Sequence, residues 1–280
     1  IRQVGVLKDP ASAWSSADLP ALDAACMVSD AAHKPLYGLY AADLSATADI
    51  TTLSDLSSLT ANKSQDCISQ DAGGQGNFLW KTSGKSVTCL GAQLGTAALS
   101  KVSESIAWVG AFNISDGVEC EVLGFANGQL LSAISDNALS ALNDRRHVFL
   151  KKFTGQSGSY FNDSHCAIIA SSDYAQLENN RTIDKAIRGI YSSLLPTLNG
   201  PLQLNPDGTL SETTTASLEA LAAVNLDQMV RDGELSDYSA TINPAQNVLS
   251  TSKVIIVVEL LSNGVARQIE VPIGFTLKIA

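Results

Sequence analysis

Charge is scarce in this sequence. Asp, Glu, Lys and Arg make up only 16% of its 280 residues, and the balance is acidic, with a formal net charge of −10. No run of Lys or Arg exceeds two; Arg145-Arg146 and Lys151-Lys152 are the densest. A nucleic-acid groove needs a basic stripe to neutralise phosphates, and attraction to an anionic membrane needs clustered cations. Neither is present. No apolar run approaches the roughly 20 residues of a spanning helix, and the N-terminus lacks a signal-peptide pattern. CxxC is also absent. The five cysteines, Cys26, Cys67, Cys89, Cys120 and Cys166, are odd in number and widely spaced. They are expected as buried, reduced thiols of a reducing cytoplasm. The first residue is Ile1 rather than Met, so the chain is expected to be a processed or trimmed part of a longer one.

What is present is apolar and small. Hydrophobic residues reach 45%, enough for one large domain or two smaller ones with a substantial core. In the first part, helical and strand patterns alternate. Residues 16–32 carry Leu19, Leu22, Ala25, Cys26 and Val28 at helical spacing. Strands are expected at 35–44, 66–70, 105–113, 119–128 and 147–153, helices at 86–101 and 130–142, and a Gly-rich turn at 73–76. This alternation predicts a mainly parallel α/β layer structure.

After Ser172 the pattern changes to two long helices and then strands. The first helix, about 173–195, places Leu177, Ile183, Ile187, Ile190, Tyr191 and Leu194 on one side and is stopped by Pro196. The second is announced by Thr209 and Glu212 at capping-box spacing, with Gly233 at its C′ position. Strands follow at 237–242 and 253–261, the latter apolar on both faces and so expected to be central. The expected fold class is α/β, with α+β character at the C-terminus and a mixed sheet. Its units are 1–160, an α/β domain, and 161–280, two helices plus terminal strands ending in a β-hairpin.

Catalytic patterns are incomplete. "TSGKS" (82–86) holds the Gly-Lys-Ser of a phosphate loop, but Leu79 stands where its first Gly is required. "GQSGS" (155–159) has Ser159 where a nucleophile elbow needs Gly. "NDSHC" (162–166) brings together Asp163, Ser164, His165 and Cys166. Successive strand residues point to opposite faces, so these four cannot form a triad among themselves. A cytoplasmic α/β hydrolase using Cys166 or Ser164 is the alternative reading. No cofactor is expected, and metal ligands at short spacing are missing. Trp14, Trp80 and Trp108 are expected in the core.

The closing stretch, "GVARQIEVPIGFTLKIA" (264–280), alternates. Val265, Ile269, Val271, Ile273, Phe275, Leu277 and Ile279 share one face, and only Arg267 interrupts them. Asn263-Gly264 is a type I′ hairpin signal leading into this strand. An apolar strand with an open edge invites pairing with another chain.

The run from Tyr160 to Phe275, including "YFNDSHCAIIASSDYAQLENNRTIDKAIRGIYSSLLPTLNGPLQLNPDGTL" and "GELSDYSATINPAQNVLSTSKVIIVVELLSNGVARQIEVPIGF", resembles the C-terminal part of contractile phage tail sheath proteins, those of Mu-like phages and prophage elements above all. "SESIAWVGAFN" is similar to the same family further upstream. The resemblance covers about 80–280 well and the first 80 residues loosely, and departs at Cys166, where Thr is expected. It implies a non-enzymatic structural subunit without cofactor. Such subunits form hexameric rings stacked helically around an inner tube, and contract to drive it through a target envelope. Implied partners are other copies of the chain, the inner tail tube protein, and baseplate and tail terminator proteins, with no nucleic acid or membrane. The implied location is the virion tail, assembled in the host cytoplasm. Terminal arms of the family add strands to neighbouring subunits, which gives the closing stretch a role as interface. Arg181, Lys185 and Arg188, expected on the polar side of the first long helix, are further interface candidates toward an acidic tube or neighbour.

Overall fold

The computed structural model describes residues 2–7, 14–115, 120–272 and 274–275. Its elements run β1 (Gln3–Leu7), α1 (Asp18–Ala31), β2 (Tyr37–Ala41), β3 (Thr60–Ala61), β4 (Ser64–Cys67), β5 (Ser69–Asp71), α2 (Gln75–Ser83), α3 (Leu90–Leu99), β6 (Leu123–Phe125) and α4 (Asp136–Asp144). They continue with β7 (Leu150–Lys151), β8 (Tyr160–Phe161), β9 (Ala167–Ile168), α5 (Leu177–Leu194), α6 (Glu212–Arg231), β10 (Asp237–Ile242), α7 (Val248–Thr251) and β11 (Ile256–Leu261). The fold is mixed α/β.

Among the described residues, only one sheet is parallel. β1, β2 and β4 pair in the order β1-β2-β4, and β2 is buried along its whole length. α1 covers it: Leu22 packs so close to Gly38 that a Cβ there would lie 2.6 Å from Leu22 carbons. The expectation of a mainly parallel layer is corrected, because β3–β9, β5–β6, β7–β8 and β10–β11 are all antiparallel pairs. Most of these strands are two or three residues long, too short to express a periodicity in sequence.

Three apolar clusters fill the first body. Tyr37, Leu39, Ile106, Val148, Phe161 and Leu177 belong to the largest; Phe125, Phe149 and Leu142 anchor a second; Leu19, Tyr40 and Leu56 a third. Two further clusters lie between α6 and its partners, one around Ala186, Leu226, Met229 and Leu235, the other around Leu210, Leu218 and Ile242.

Several local expectations are revised. Residues 105–113 form successive turns, not a strand: Trp108 N–H donates to Ser105 O and Phe112 N–H to Trp108 O. Trp108 is half exposed, with Phe112 edge-on to it, rather than in the core. The Gly-rich stretch at 73–76 leads into α2, which ends at "TSGKS". Gly84 there adopts φ +67° and caps the helix, and Ser86 Oγ accepts from Leu44 N–H and donates to Ala126 O. The Gly-Lys-Ser thus closes a helix. α6 is capped by Ser211, whose Oγ accepts from Thr214 N–H at 3.3 Å, rather than by Thr209. Gly233, at φ +70°, does follow it.

Candidate assembly surface

The cluster 162–166 sits at the junction between the first body and α5. Cys166 is fully buried, its Sγ 3.0 Å from Tyr37 Oη and 3.3 Å from Asn180 Nδ2. Burial pushes its thiol up to about 12 against the opposing pull of Tyr37 and Arg146. A nucleophilic cysteine needs the reverse, an exposed thiolate. Ser164 Oγ donates to Glu178 Oε2 at 2.5 Å rather than to an imidazole. His165 Nε2 lies 3.2 Å from Asn143 Oδ1, and burial, reinforced by Arg146 and Arg267, lowers its titration to about 4. The hydrolase alternative finds no support in this arrangement. Among the described residues, no group of three or more His, Cys, Asp and Glu could hold a metal ion, and no helix is long and apolar enough to cross a membrane.

α5 presents its polar side to the interior, the reverse of the expected orientation. Glu178, Asn180, Arg181, Thr182 and Asp184 are buried, while Ile187 and Tyr191 are partly exposed. The polar side is tolerated inside because each charged group there has a partner. Lys63 Nζ reaches Asp184 at 2.5 Å and Asp30 at 2.7 Å. Arg181 donates to Ser100 Oγ at 2.7 Å and to its carbonyl at 2.8 Å. Lys185 pairs with Glu234, and Arg188 lies 3.5 Å from Pro35 O. Arg181 is therefore no surface cation, and Lys185 and Arg188 already have partners within the chain. A periodicity argument assigns apolar residues inward; here ion pairs between α5 and the first body override it.

The C-terminal strands leave apolar side chains uncovered among the described residues. Among the described residues β11 pairs only with β10, from Ile256↔Ile242 to Leu261↔Asp237. It is thus not central: its burial alternates, leaving Val257 and Leu261 more than half exposed. Beyond it Asn263 is not a hairpin corner. Its Nδ2 donates to Gly233 O at 2.6 Å, its Oδ1 accepts from Ser236 Oγ, and Gly264 has no positive φ. Residues 262–272 continue without strand pairing. The expected strand 265–279 is absent over these residues, as it has no partner there; Ile273, Leu277 and Ile279 lie outside the described residues. Ile269 (80%), Val271 (69%) and Phe275 (112%) are exposed, and Val265 is half-buried.

Among the described residues, one side chain ties this strap to the body by hydrogen bond or ion pair: Arg267, the residue that breaks the apolar alternation. Its Nε donates to Asp163 Oδ1 at 2.9 Å and Oδ2 at 3.0 Å, and its Nη2 to Glu178 Oε1. Burial works against the guanidinium charge, but Asp163 and Glu178 together outweigh it and hold its titration above the usual arginine value. The interruption was visible in sequence; its partners were not, since they lie 104 and 89 residues away.

A family model described as "DUF2586, C-terminal domain" matches residues 173–280. No curated protein matches the chain. Solved structures with a similar fold do exist. A chain in the anti-feeding prophage (AFP) baseplate is 13% identical, with 94% of this chain and 66% of that chain covered and a TM-score of 0.57. A chain in the sheath complex of the extracellular contractile injection system PVC, in its contracted state, is 12% identical, with 88% and 65% covered and a TM-score of 0.58. The sheath tail protein of Desulfitobacterium hafniense is 10% identical, with 92% and 56% covered and a TM-score of 0.51. The chain therefore spans less than two thirds of the length of these proteins, and over that span it shares the fold of the AFP baseplate chain, the PVC sheath-complex chain and the sheath tail protein.

Proposed function

We propose that this chain is a structural subunit of a contractile tail sheath. Copies polymerise into hexameric rings stacked helically around an inner tube, and contraction of the stack drives the tube through a target envelope. The observation that carries this reading is the likeness to a chain of a sheath complex and to a sheath tail protein, over 88% and 92% of this chain. It is supported, among the described residues, by an apolar strap that pairs with no sheet and by a two-stranded sheet, β10–β11, with no further strand on either edge. Strand addition joins such halves: backbone groups pair between chains, and alternate side chains fill a neighbour's surface. Each hydrogen bond contributes about 0.5–1.5 kcal/mol, so a ladder with buried Ile269, Val271 and Phe275 holds copies together while their bodies shift.

Partners are other copies, the inner tube, and baseplate and terminator proteins; the place is a virion or injection-device tail, assembled in the host cytoplasm. Unit 161–280 carries the strap and unit 1–160 the α/β body. The energy of contraction is stored in contacts between subunits. Negative-stain electron microscopy of the full-length protein tests this: concentration-dependent rings or tubes are expected. A full-length chain that remains monomeric at every concentration, with and without its tube protein, would reject the assignment.

A further inference from the structure

Asp163 and Glu178 are two carboxylates buried where the first body meets α5; apart from Arg267, the one ion-pair partner there among the described residues is His165, whose Nε2 lies 3.7 Å from Asp163 Oδ2 and which burial holds neutral. They are 7% and 2% exposed. Both are oriented before any cation arrives: Ser164 N–H donates to Asp163 Oδ1 at 2.8 Å, and Ser164 Oγ to Glu178 Oε2 at 2.5 Å. Glu178 is fixed further by its place in the first turn of α5. The free oxygens face one guanidinium, that of Arg267, which bridges both. A fork of N–H donors suits paired carboxylates better than a lysine point charge does. The pair is thus a built receptor on a rigid body.

Its occupant sits on the opposite kind of support. Among the described residues, 264–275 make no backbone hydrogen bond to the body, and Arg267 supplies their only hydrogen-bonding or ion-pair contact with it. The strap exposes Ile269, Val271 and Phe275, a cost that the chain's own body does not remove. From Leu261, six residues of extended chain reach about 20 Å. The bonds Arg267 makes would be identical on a second body, so exchange costs little beyond the hinge, while a second body offers the strap's apolar residues cover. We propose that, in the assembled state, Asp163 and Glu178 of each copy receive Arg267 from a second copy of this chain. This inference rests on the assembly reading above and adds the receptor to it.

The two arrangements differ in sign. If Arg267 works between copies, full-length Arg267→Ala assembles less readily, its critical concentration rising by about tenfold or more as a close charge pair across copies is lost. Arg267→Lys, which keeps charge but not the fork, falls between. If Arg267 merely clasps its own body, Arg267→Ala frees the strap, and the critical concentration falls or stays unchanged; that result overturns the proposal. A second pair of variants guards against misfolding. Arg267→Ala retains the receptor, and the double variant Asp163→Asn/Glu178→Gln retains the arginine while removing the receptor's charge. By size-exclusion chromatography with light scattering, each alone is expected to run as one chain, and an equimolar mixture to yield pairs. A mixture without pairs overturns the proposal as well. A full-length wild-type chain that never assembles overturns the assembly reading itself, whereas wild-type tubes with unaffected variants overturn only the receptor.

Discussion

His165 is a buried imidazole that folding holds neutral. Burial dominates: Asp163 Oδ2, 3.7 Å from Nε2, favours the proton, but desolvation, aided by Arg146 and Arg267, outweighs it, while Nε2 also faces the Asn143 carboxamide oxygen and Nδ1 has no partner. An ordinary imidazole takes up its proton near 6.5; here that waits until about 4. Between these values the unfolded chain binds a proton that the folded chain refuses, so stability is full above the window and falls as pH drops through it. The loss attributable to this one group approaches about 3 kcal/mol. Urea denaturation near neutral pH and again at about pH 4.5 should show a smaller difference for His165→Gln than for the wild-type chain. Equal differences would mean that the imidazole charges freely in the fold. Cys166 follows the same logic: its burial lifts it to about 12, so it packs as a neutral thiol against Tyr37, while Ser164, two residues earlier, orients Glu178.

Among the elements, β2 and α1 illustrate a contact that a single methyl group tests. A Cβ on Gly38 would meet Leu22 carbons at 2.6 Å, and β2 is held between β1 and β4, so it cannot retreat. Gly38→Ala is expected to cost about 1–3 kcal/mol as overpacking, read as a lower thermal midpoint. Gly95, on the outer side of α3 with nothing within 4 Å of a Cβ, is the counterpart. Gly95→Ala should stabilise by about 0.5–1 kcal/mol through helix propensity. If Gly38→Ala were neutral, α1 would not pack on β2 as described. The long elements were legible in sequence. α1, α3, α5, α6 and β10 carry enough periodic residues to declare themselves, and Pro196 and Gly233 mark helix ends where they fall. α2 was not, because its N-terminus has no side-chain cap and its glycines resemble a turn. Nor was the facing of α5. Lys63, Asp184 and Ser100 reach across more than 80 residues to make its polar side interior, a relation no local pattern encodes. The assembly candidates divide the same way. The apolar alternation at 265–271 was visible, whereas the receptor at Asp163 and Glu178 appears only when distant segments meet.

At the scale of the whole molecule, the sparse charge sets how copies meet. Each carries a formal −10, so two copies approaching through the β10–β11 edge or the strap first meet mutual repulsion. That repulsion acts over the Debye length, about 30 Å at 0.01 M salt and about 10 Å at 0.1 M. The contacts proposed to hold copies together respond weakly to salt. Buried Ile269, Val271 and Phe275 carry no charge, and Arg267 meets carboxylates that are more than nine-tenths buried and hence poorly screened. Raising ionic strength therefore removes the barrier while leaving most of the attraction. Self-association of the full-length chain should strengthen with salt, its critical concentration falling several-fold from about 0.01 M to about 0.1 M, as followed by light scattering. The sulfate salt should strengthen it further at equal ionic strength, since excluded anions favour apolar burial. Association that weakens steadily over the same range would mean that exposed complementary charges, and not the strap and its buried receptor, bring the copies together.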